Sequence, residues 1–148
     1  TLIRRMVSAG IRESRIELRG VTSHMGHLQT FGEVDIQLDT YPQGGGISSA
    51  EALVMGVPVL TLRGHVPASR TSATILTCIG HPEWIAENER EYVEKAIALA
   101  KDRAALAATR AKLREEMYAS PFGNPEIYTK ILEDKLRAIW RDYCAARA

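Results

Sequence analysis

Apolar positions along this chain follow two alternating rhythms, and the alternation predicts an α/β fold. Leu2, Ile3, Met6 and Val7 keep the three-to-four spacing of one helix face, which ends near Gly10. Arg15 to Leu18 then reads as a strand, His24 to Thr30 as a short helix, and Val34 to Leu38 as a second strand. The turn-rich stretch Tyr41-Pro42-Gln43-Gly44-Gly45-Gly46 leads to a helix from about Ser49 to Met55. Gly56 ends that helix, and Val57 to Leu62 reads as another buried strand. Short apolar strands separated by helices need crossover connections, so the expected sheet is parallel and Rossmann-like, with helices on its faces.

Beyond Arg63-Gly64 the pattern predicts a helix from about Pro67 to Cys78, with Pro67 suited to a first turn and Gly80 to a C-cap. A turn at His81-Pro82 follows. From Asn88 the chain is wholly helical. Asn88 with Glu91 forms a capping box, Asp102 caps a helix that runs to about Tyr118, and Asn124-Pro125 opens a last one after the break at Ser120-Pro121-Phe122-Gly123. Tyr128, Leu132, Leu136, Ile139 and Tyr143 form an apolar stripe on that helix, and such a stripe needs a cover. With neither repeats nor a low-complexity linker, residues 1–148 read as one domain, an α/β part over 1–87 followed by a helical C-terminal tail over 88–148.

Composition narrows the partners more than the fold. A chain of 148 residues with 45% apolar and 25% charged content has the make-up of an ordinary folded domain. Its net charge of +1, with basic and acidic residues interleaved, gives no field suited to a nucleic-acid backbone. Cys78 and Cys144 form no metal spacing and read as buried apolar residues in a reducing compartment. No run reaches the roughly 18 apolar residues of a membrane helix, and no basic-then-apolar leader opens the chain, so a cytoplasmic setting without membrane contact is the expectation. The start at Thr1, directly in a helical pattern, reads as a fragment boundary.

The chemistry concentrates where predicted strands end. Leu38-Asp39-Thr40 runs into Gly44-Gly45-Gly46-Ile47-Ser48-Ser49-Ala50-Glu51, a loop that enters a helix on the side of an open α/β sheet where ligands bind. Glycines let backbone approach a diphosphate, first-turn N–H groups and the helix dipole favour it, and Ser48 and Ser49 add hydroxyl donors. The same residues also fit an unliganded turn, with Ser48 and Glu51 as a capping box. Glu51 has two alternative roles: to satisfy the Ser48 backbone N–H, or to turn away from any phosphate and accept from a ribose diol. Thr22-Ser23-His24-Met25-Gly26-His27 falls at the same sheet edge. An imidazole there can stack on a base, or the two histidines can simply form a polar helix face; with no Cys, Asp or Glu at ligand spacing they make no metal site. Arg70 reads as a brace of the sheet edge, paired with a residue such as Asp39, and His65 as a solvated loop residue. Neither a nucleophile elbow nor a G-x-G-x-x-G fingerprint is present.

These residues resemble the catalytic region of the O-linked N-acetylglucosamine transferases and related SPINDLY-type proteins, a GT-B-fold family of nucleotide-sugar transferases. The match runs through Val34 to Thr40, Glu51-Ala52-Leu53, Met55 to Thr61, Ala68-Ser69-Arg70, Leu76 to Gly80, Ser120-Pro121-Phe122 and Tyr128-Thr129, into the last helix around Trp140 and Tyr143. The resemblance implies the C-terminal, nucleotide-binding half of a GT-B fold. It further implies that His27 flanks a uracil, that backbone near Thr22 reads the base edge, that Glu51 takes the ribose-binding acidic position, and that Gly45, Gly46, Ile47, Ser48 and Ser49 form the diphosphate loop. His24 stands where some relatives carry a ribose-contacting lysine. Many relatives have a His or Thr followed by threonines where this chain has Gly46-Ile47-Ser48-Ser49, so backbone N–H groups must carry more of the phosphate binding here. The implied reaction is inverting, metal-independent and cofactor-free transfer of a sugar, N-acetylglucosamine by resemblance, from a UDP-sugar to protein Ser or Thr hydroxyls. The acceptor site, catalytic base and phosphate-facing lysine would lie in an upstream half, with tetratricopeptide repeats presenting the substrate, so the fragment alone should be inactive and no residue here is assigned a catalytic role. Two other readings remain: a nucleotide-sugar epimerase of the same fold, for which no acid and base pair is found, and a non-catalytic interaction module that docks through the last helix.

Overall fold

A computed structural model describes residues 1–147. Helices α1 (Leu2–Ser8), α2 (His24–Thr30), α3 (Ile47–Val54), α4 (Thr71–Cys78), α5 (Glu89–Lys101), α6 (Arg103–Ala119) and α7 (Pro125–Ala145) surround a sheet of β1 (Gln37–Leu38), β2 (Val59–Leu62) and β3 (Ile85–Ala86). The strands lie in the order β1-β2-β3 and both pairings are parallel, with Gln37 opposite Val59 and Thr61 opposite Ile85. Each crossover carries a helix, α3 between the first two strands and α4 between the last two, as a parallel sheet requires.

The strands are shorter than periodicity suggests, and one is displaced. Arg15–Leu18 contains no strand: a 3-10 turn occupies Glu13–Arg15, and the extended residue Ile16 makes no ladder with a neighbouring strand among the described residues. Extended backbone without a partner is not a strand, so the apolar alternation there marks conformation and not pairing. The predicted Val34–Leu38 strand contracts to two residues, and Val57–Leu62 to four. Conversely β3 is a two-residue strand after the 3-10 turn Pro82–Trp84, too brief for any periodic signal, and Ile85 and Ala86 are both buried. The predicted Pro67–Cys78 helix divides at Arg70, with a 3-10 turn over Pro67–Ser69 before α4.

Leu53, Leu60, Ile75 and Leu76 are fully or almost fully buried around the sheet, and Leu113 and Met117 of α6 join the same cluster. Burying a side chain of this size stabilises the fold by about 1.5–3 kcal/mol. Helix α6 is therefore part of the core. It is pinned from outside as well: Arg110 donates to the Val34 carbonyl oxygen, and Arg114 Nε donates to that of Val54 at 2.9 Å. Gly56 makes the close approach possible, because at φ +77° a Cβ there would be strained and would sit 3.0 Å from the Arg110 oxygen.

Helix starts follow the expected side chains. Asn88 Oδ1 accepts from the Glu91 N–H at 2.9 Å, Asp102 Oδ1 from Ala105 at 2.9 Å, and Asn124 Oδ1 from both Glu126 and Ile127. The box at Asn88 is stretched by one residue, since the Glu91 carboxylate accepts from the Glu87 N–H at 2.9 Å. That bond, together with the hydrogen bond from Lys95, holds the Glu91 carboxyl below the usual range. Helix α7 buries no residue, so its stripe of Tyr128, Leu132, Leu136, Ile139 and Tyr143 has no cover among the described residues. For the same reason Cys144 is exposed, contrary to expectation, and Cys78 is only half-buried.

Candidate functional site

The site begins with a buried aspartate at the carboxyl end of β1. Asp39 continues the ladder through its N–H, which donates to the Leu60 carbonyl oxygen at 2.9 Å. Its Oδ2 accepts from the Thr61 hydroxyl at 2.8 Å, and its Oδ1 accepts from the Gly45 N–H at 2.7 Å. One side chain thus ties the glycine loop to the sheet. The Tyr92 hydroxyl of α5 donates to the Asp39 carbonyl oxygen at 2.9 Å. Burial, reinforced by the nearby Asp39 charge, pushes the Tyr92 phenol up to about 12. These bonds replace the expected brace: Arg70 is exposed and makes no ion pair with the buried Asp39, which bonds the Gly45 N–H and the Thr61 hydroxyl instead.

The loop packs tightly against α3. A Cβ on Gly45 would lie 2.6 Å from Ser49 Oγ and 2.7 Å from Ser48 Oγ, so no larger residue fits without displacing both. Gly46 is the N-cap of α3 at φ +55°, and the N–H groups of Gly46 and Ile47 make no hydrogen bond among the described residues. Those are donors left free at a helix start. The two serines differ. Ser48 Oγ donates to the Gly45 carbonyl oxygen at 3.0 Å, whereas Ser49 is buried and shares a hydrogen bond of 3.0 Å with Ser72. Ser49 therefore links α3 to α4 beneath the loop and does not present its hydroxyl to the cleft.

Of the two alternatives for Glu51, the capping bond is not made. Its side chain does not reach back to the Ser48 N–H, which bonds the Gly45 carbonyl oxygen at 3.2 Å. Instead Oε1 lies 2.8 Å from His24 Nε2, and Oε2 lies 3.3 Å from His27 Nε2. The histidines share one face of α2, three residues apart. Ser23 caps that helix by accepting from the Gly26 N–H at 3.2 Å, and His27 meets the buried Phe31 edge-on with ring centres 5.0 Å apart. Thr22 lies exposed just before the cap. The fold thus brings His24, His27, Glu51 and the Gly45–Ser48 turn to one edge, leaves Thr22 beside them, and turns Ser49 inward.

A cleft of about 630 Å³ opens there, with His24, Gly46, Ile47 and Glu51 among the residues that line it. Leu28, Val54, Met55, Ile75 and Met117 supply most of the remaining wall, with Thr71 and Arg114 adding polar groups to it. A mostly apolar wall with a few polar groups is the usual make-up of a small-molecule site. Sequence reasoning missed the anchoring role of Asp39 and Thr61, and the tyrosine from 53 positions downstream that joins them. The available signal was an acidic residue directly after a strand, which has to be satisfied if it is buried.

Comparison with known proteins identifies the relatives of this chain. The family model described as glycosyl transferase family 41 matches residues 1–132. A tomato (Solanum lycopersicum) protein named probable UDP-N-acetylglucosamine–peptide N-acetylglucosaminyltransferase SPINDLY is 38% identical over 91% of this chain, which covers 15% of that protein. The Caenorhabditis elegans UDP-N-acetylglucosamine–peptide N-acetylglucosaminyltransferase is 31% identical over 93% of the chain, which covers 12% of it. The solved structure of a mutant Thermobaculum terrenum O-GlcNAc transferase superposes with a TM-score of 0.84 at 34% identity, over 99% of this chain and 28% of that one. The chain therefore spans about a seventh of the curated relatives' length and matches the C-terminal half of a GT-B fold. With that match over most of its length, and with the glycine loop, Glu51 and the two histidines gathered at the carboxyl edge of its parallel sheet, the chain belongs to glycosyl transferase family 41.

Proposed function

We propose that this chain is the donor-binding portion of a glycosyltransferase that moves a sugar, N-acetylglucosamine, from a UDP-sugar to Ser or Thr hydroxyls of proteins. The observation that carries the reading is the turn of Glu51 away from the start of α3 onto His24 and His27. A carboxylate aimed at the loop would repel a diphosphate; held on α2, it leaves the free Gly46 and Ile47 N–H groups to the phosphates. In this arrangement His27 flanks the base, backbone near Thr22 reads its edge, Glu51 accepts from the ribose, and the turn from Gly45 to Ser48 receives the diphosphate. Hydrogen-bond donors fixed at a helix start stabilise the negative charge that grows on the departing diphosphate, so the chain contributes leaving-group stabilisation without a metal.

The groups that activate the acceptor belong, in this reading, to an upstream half of the protein, together with repeats that present the peptide. The relatives' greater length supports that division. Isothermal titration with UDP tests the donor site. Binding is expected in the millimolar range or tighter and should be lost in Glu51→Ala and His27→Ala; no heat of binding up to about 10 mM UDP would refute it. The 148-residue chain alone should transfer no sugar to peptide, and turnover by it would overturn the division of labour.

A further inference from the structure

We infer that His24 is a positioning residue of the donor site, fixing the Glu51 carboxylate and through it the reading of the ribose diol, without itself gripping the nucleotide. The inference rests on the donor-site reading above and assigns His24 a part within it. Each Glu51 oxygen meets one imidazole nitrogen, at 2.8 Å for His24 and 3.3 Å for His27. An ionised carboxylate only accepts, so the His24 ring presents its N–H at 2.8 Å, and the remaining lone-pair sites are left for two ribose hydroxyls. The two histidines are otherwise unlike. His27 is 43% exposed and also packs on Phe31, which belongs to the core; His24 is 73% exposed and bonds nothing except Glu51 among the described residues. Within the described residues the one bond His24 makes is to Glu51, which is itself 24% exposed.

The chemistry explains why such a prop is needed. Glu51 stands one turn into α3, where its carboxylate has a competing attraction to the N–H groups of the helix start. There it would fill the diphosphate's place. Without His24 the carboxylate would keep only the looser 3.3 Å contact to His27 and could pivot; the 2.8 Å bond from His24 fixes its plane, and a fixed plane presents it to a diol.

The test compares UDP with the dideoxy diphosphate that lacks both ribose hydroxyls, by calorimetry. His24→Ala should weaken UDP about 5- to 10-fold, the worth of one ordinary, solvent-exposed hydrogen bond. The dideoxy compound should change by less than about twofold, because it has no hydroxyl for Glu51 to meet. His24→Gln, whose amide can donate the same bond, should restore UDP affinity. Equal weakening of both nucleotides would show direct contact with base or phosphate and overturn the inference, as would an unchanged UDP affinity. Failure of His24→Gln to restore binding, while its melting curve matches the parent's, would also overturn it. If the unaltered chain binds neither nucleotide, the donor reading falls as well. If it binds UDP, loses it in His27→Ala and ignores His24→Ala, only the role of His24 falls.

Discussion

Replacing Asp39 by alanine should be among the more damaging single changes in this domain, and the loss can be worked from two bonds. The carboxylate is 7% exposed and satisfies the Gly45 N–H at 2.7 Å and the Thr61 hydroxyl at 2.8 Å. Thr61 is 1% exposed, so its orphaned hydroxyl bears most of the penalty of a buried unpaired donor. Gly45 is only half-buried, and water can reach its N–H once the carboxylate is gone. At about 1 kcal/mol for the wetted donor and up to about 3 kcal/mol for the dry one, Asp39→Ala should cost roughly 2–4 kcal/mol. For a chain of this size that lowers the melting temperature by roughly 4–16 °C. Asp39→Asn separates the bonds from the charge. Its amide oxygen can keep the Gly45 bond while the Thr61 hydroxyl rotates to accept from the NH2, so the cost should be about 1 kcal/mol. Thermal and urea unfolding followed by circular dichroism measure both. An asparagine as harmful as alanine would refute the satisfied-donor account, as would an alanine variant that melts within about 1 °C of the parent.

Tyr92→Phe removes the phenol whose folded pKa is pushed up to about 12 from its ordinary 10.0. A raised pKa means that the stability tied to the protonated phenol is complete below pH 10 and is lost as pH rises toward 12. Unfolding across that window should show a steeper alkaline decline in the parent than in Tyr92→Phe, and equal declines would contradict the assignment. Gly45→Ala would drive a methyl into Ser48 and Ser49 at 2.6–2.7 Å, so UDP binding should drop by at least about tenfold while the far-ultraviolet spectrum is retained. Leu113→Ala opens a cavity under a fully buried side chain of α6 and should cost about 2–5 kcal/mol in urea unfolding; a loss below 1 kcal/mol would mean that α6 is not part of the core.

What the sequence disclosed follows from the range over which each signal acts. Helices declare themselves within a few residues through caps, and Asn88, Asp102 and Asn124 all cap where expected. The parallel sheet was legible from its crossovers, yet the strands were not, because pairing depends on a neighbour that local sequence does not name. Ile16 is extended but unpaired, while Ile85 and Ala86 pair with no local pattern to announce them. The glycine loop was visible as composition. The destination of Glu51 was not, since the choice between Ser48 and the histidines 27 and 24 positions upstream is made by how α2 lies against α3. Arg70 shows the reverse error: a plausible ion pair was inferred for a carboxylate that neutral donors had already satisfied.

The anchoring of α6 has a consequence for how the chain is made. Arg110 reaches Val34 across 76 residues, and Arg114 reaches Val54 across 60. Loops of that length close slowly, because chain entropy is spent before any native energy returns. On the ribosome, β1 and α3 are complete long before residue 117 emerges, and at roughly 5–20 residues per second they wait several seconds with an uncovered apolar flank. That interval is when the nascent domain is most open to chaperones and to misassembly. Synonymous codons that change pace between residues 55 and 117 should alter soluble yield without altering the folded protein.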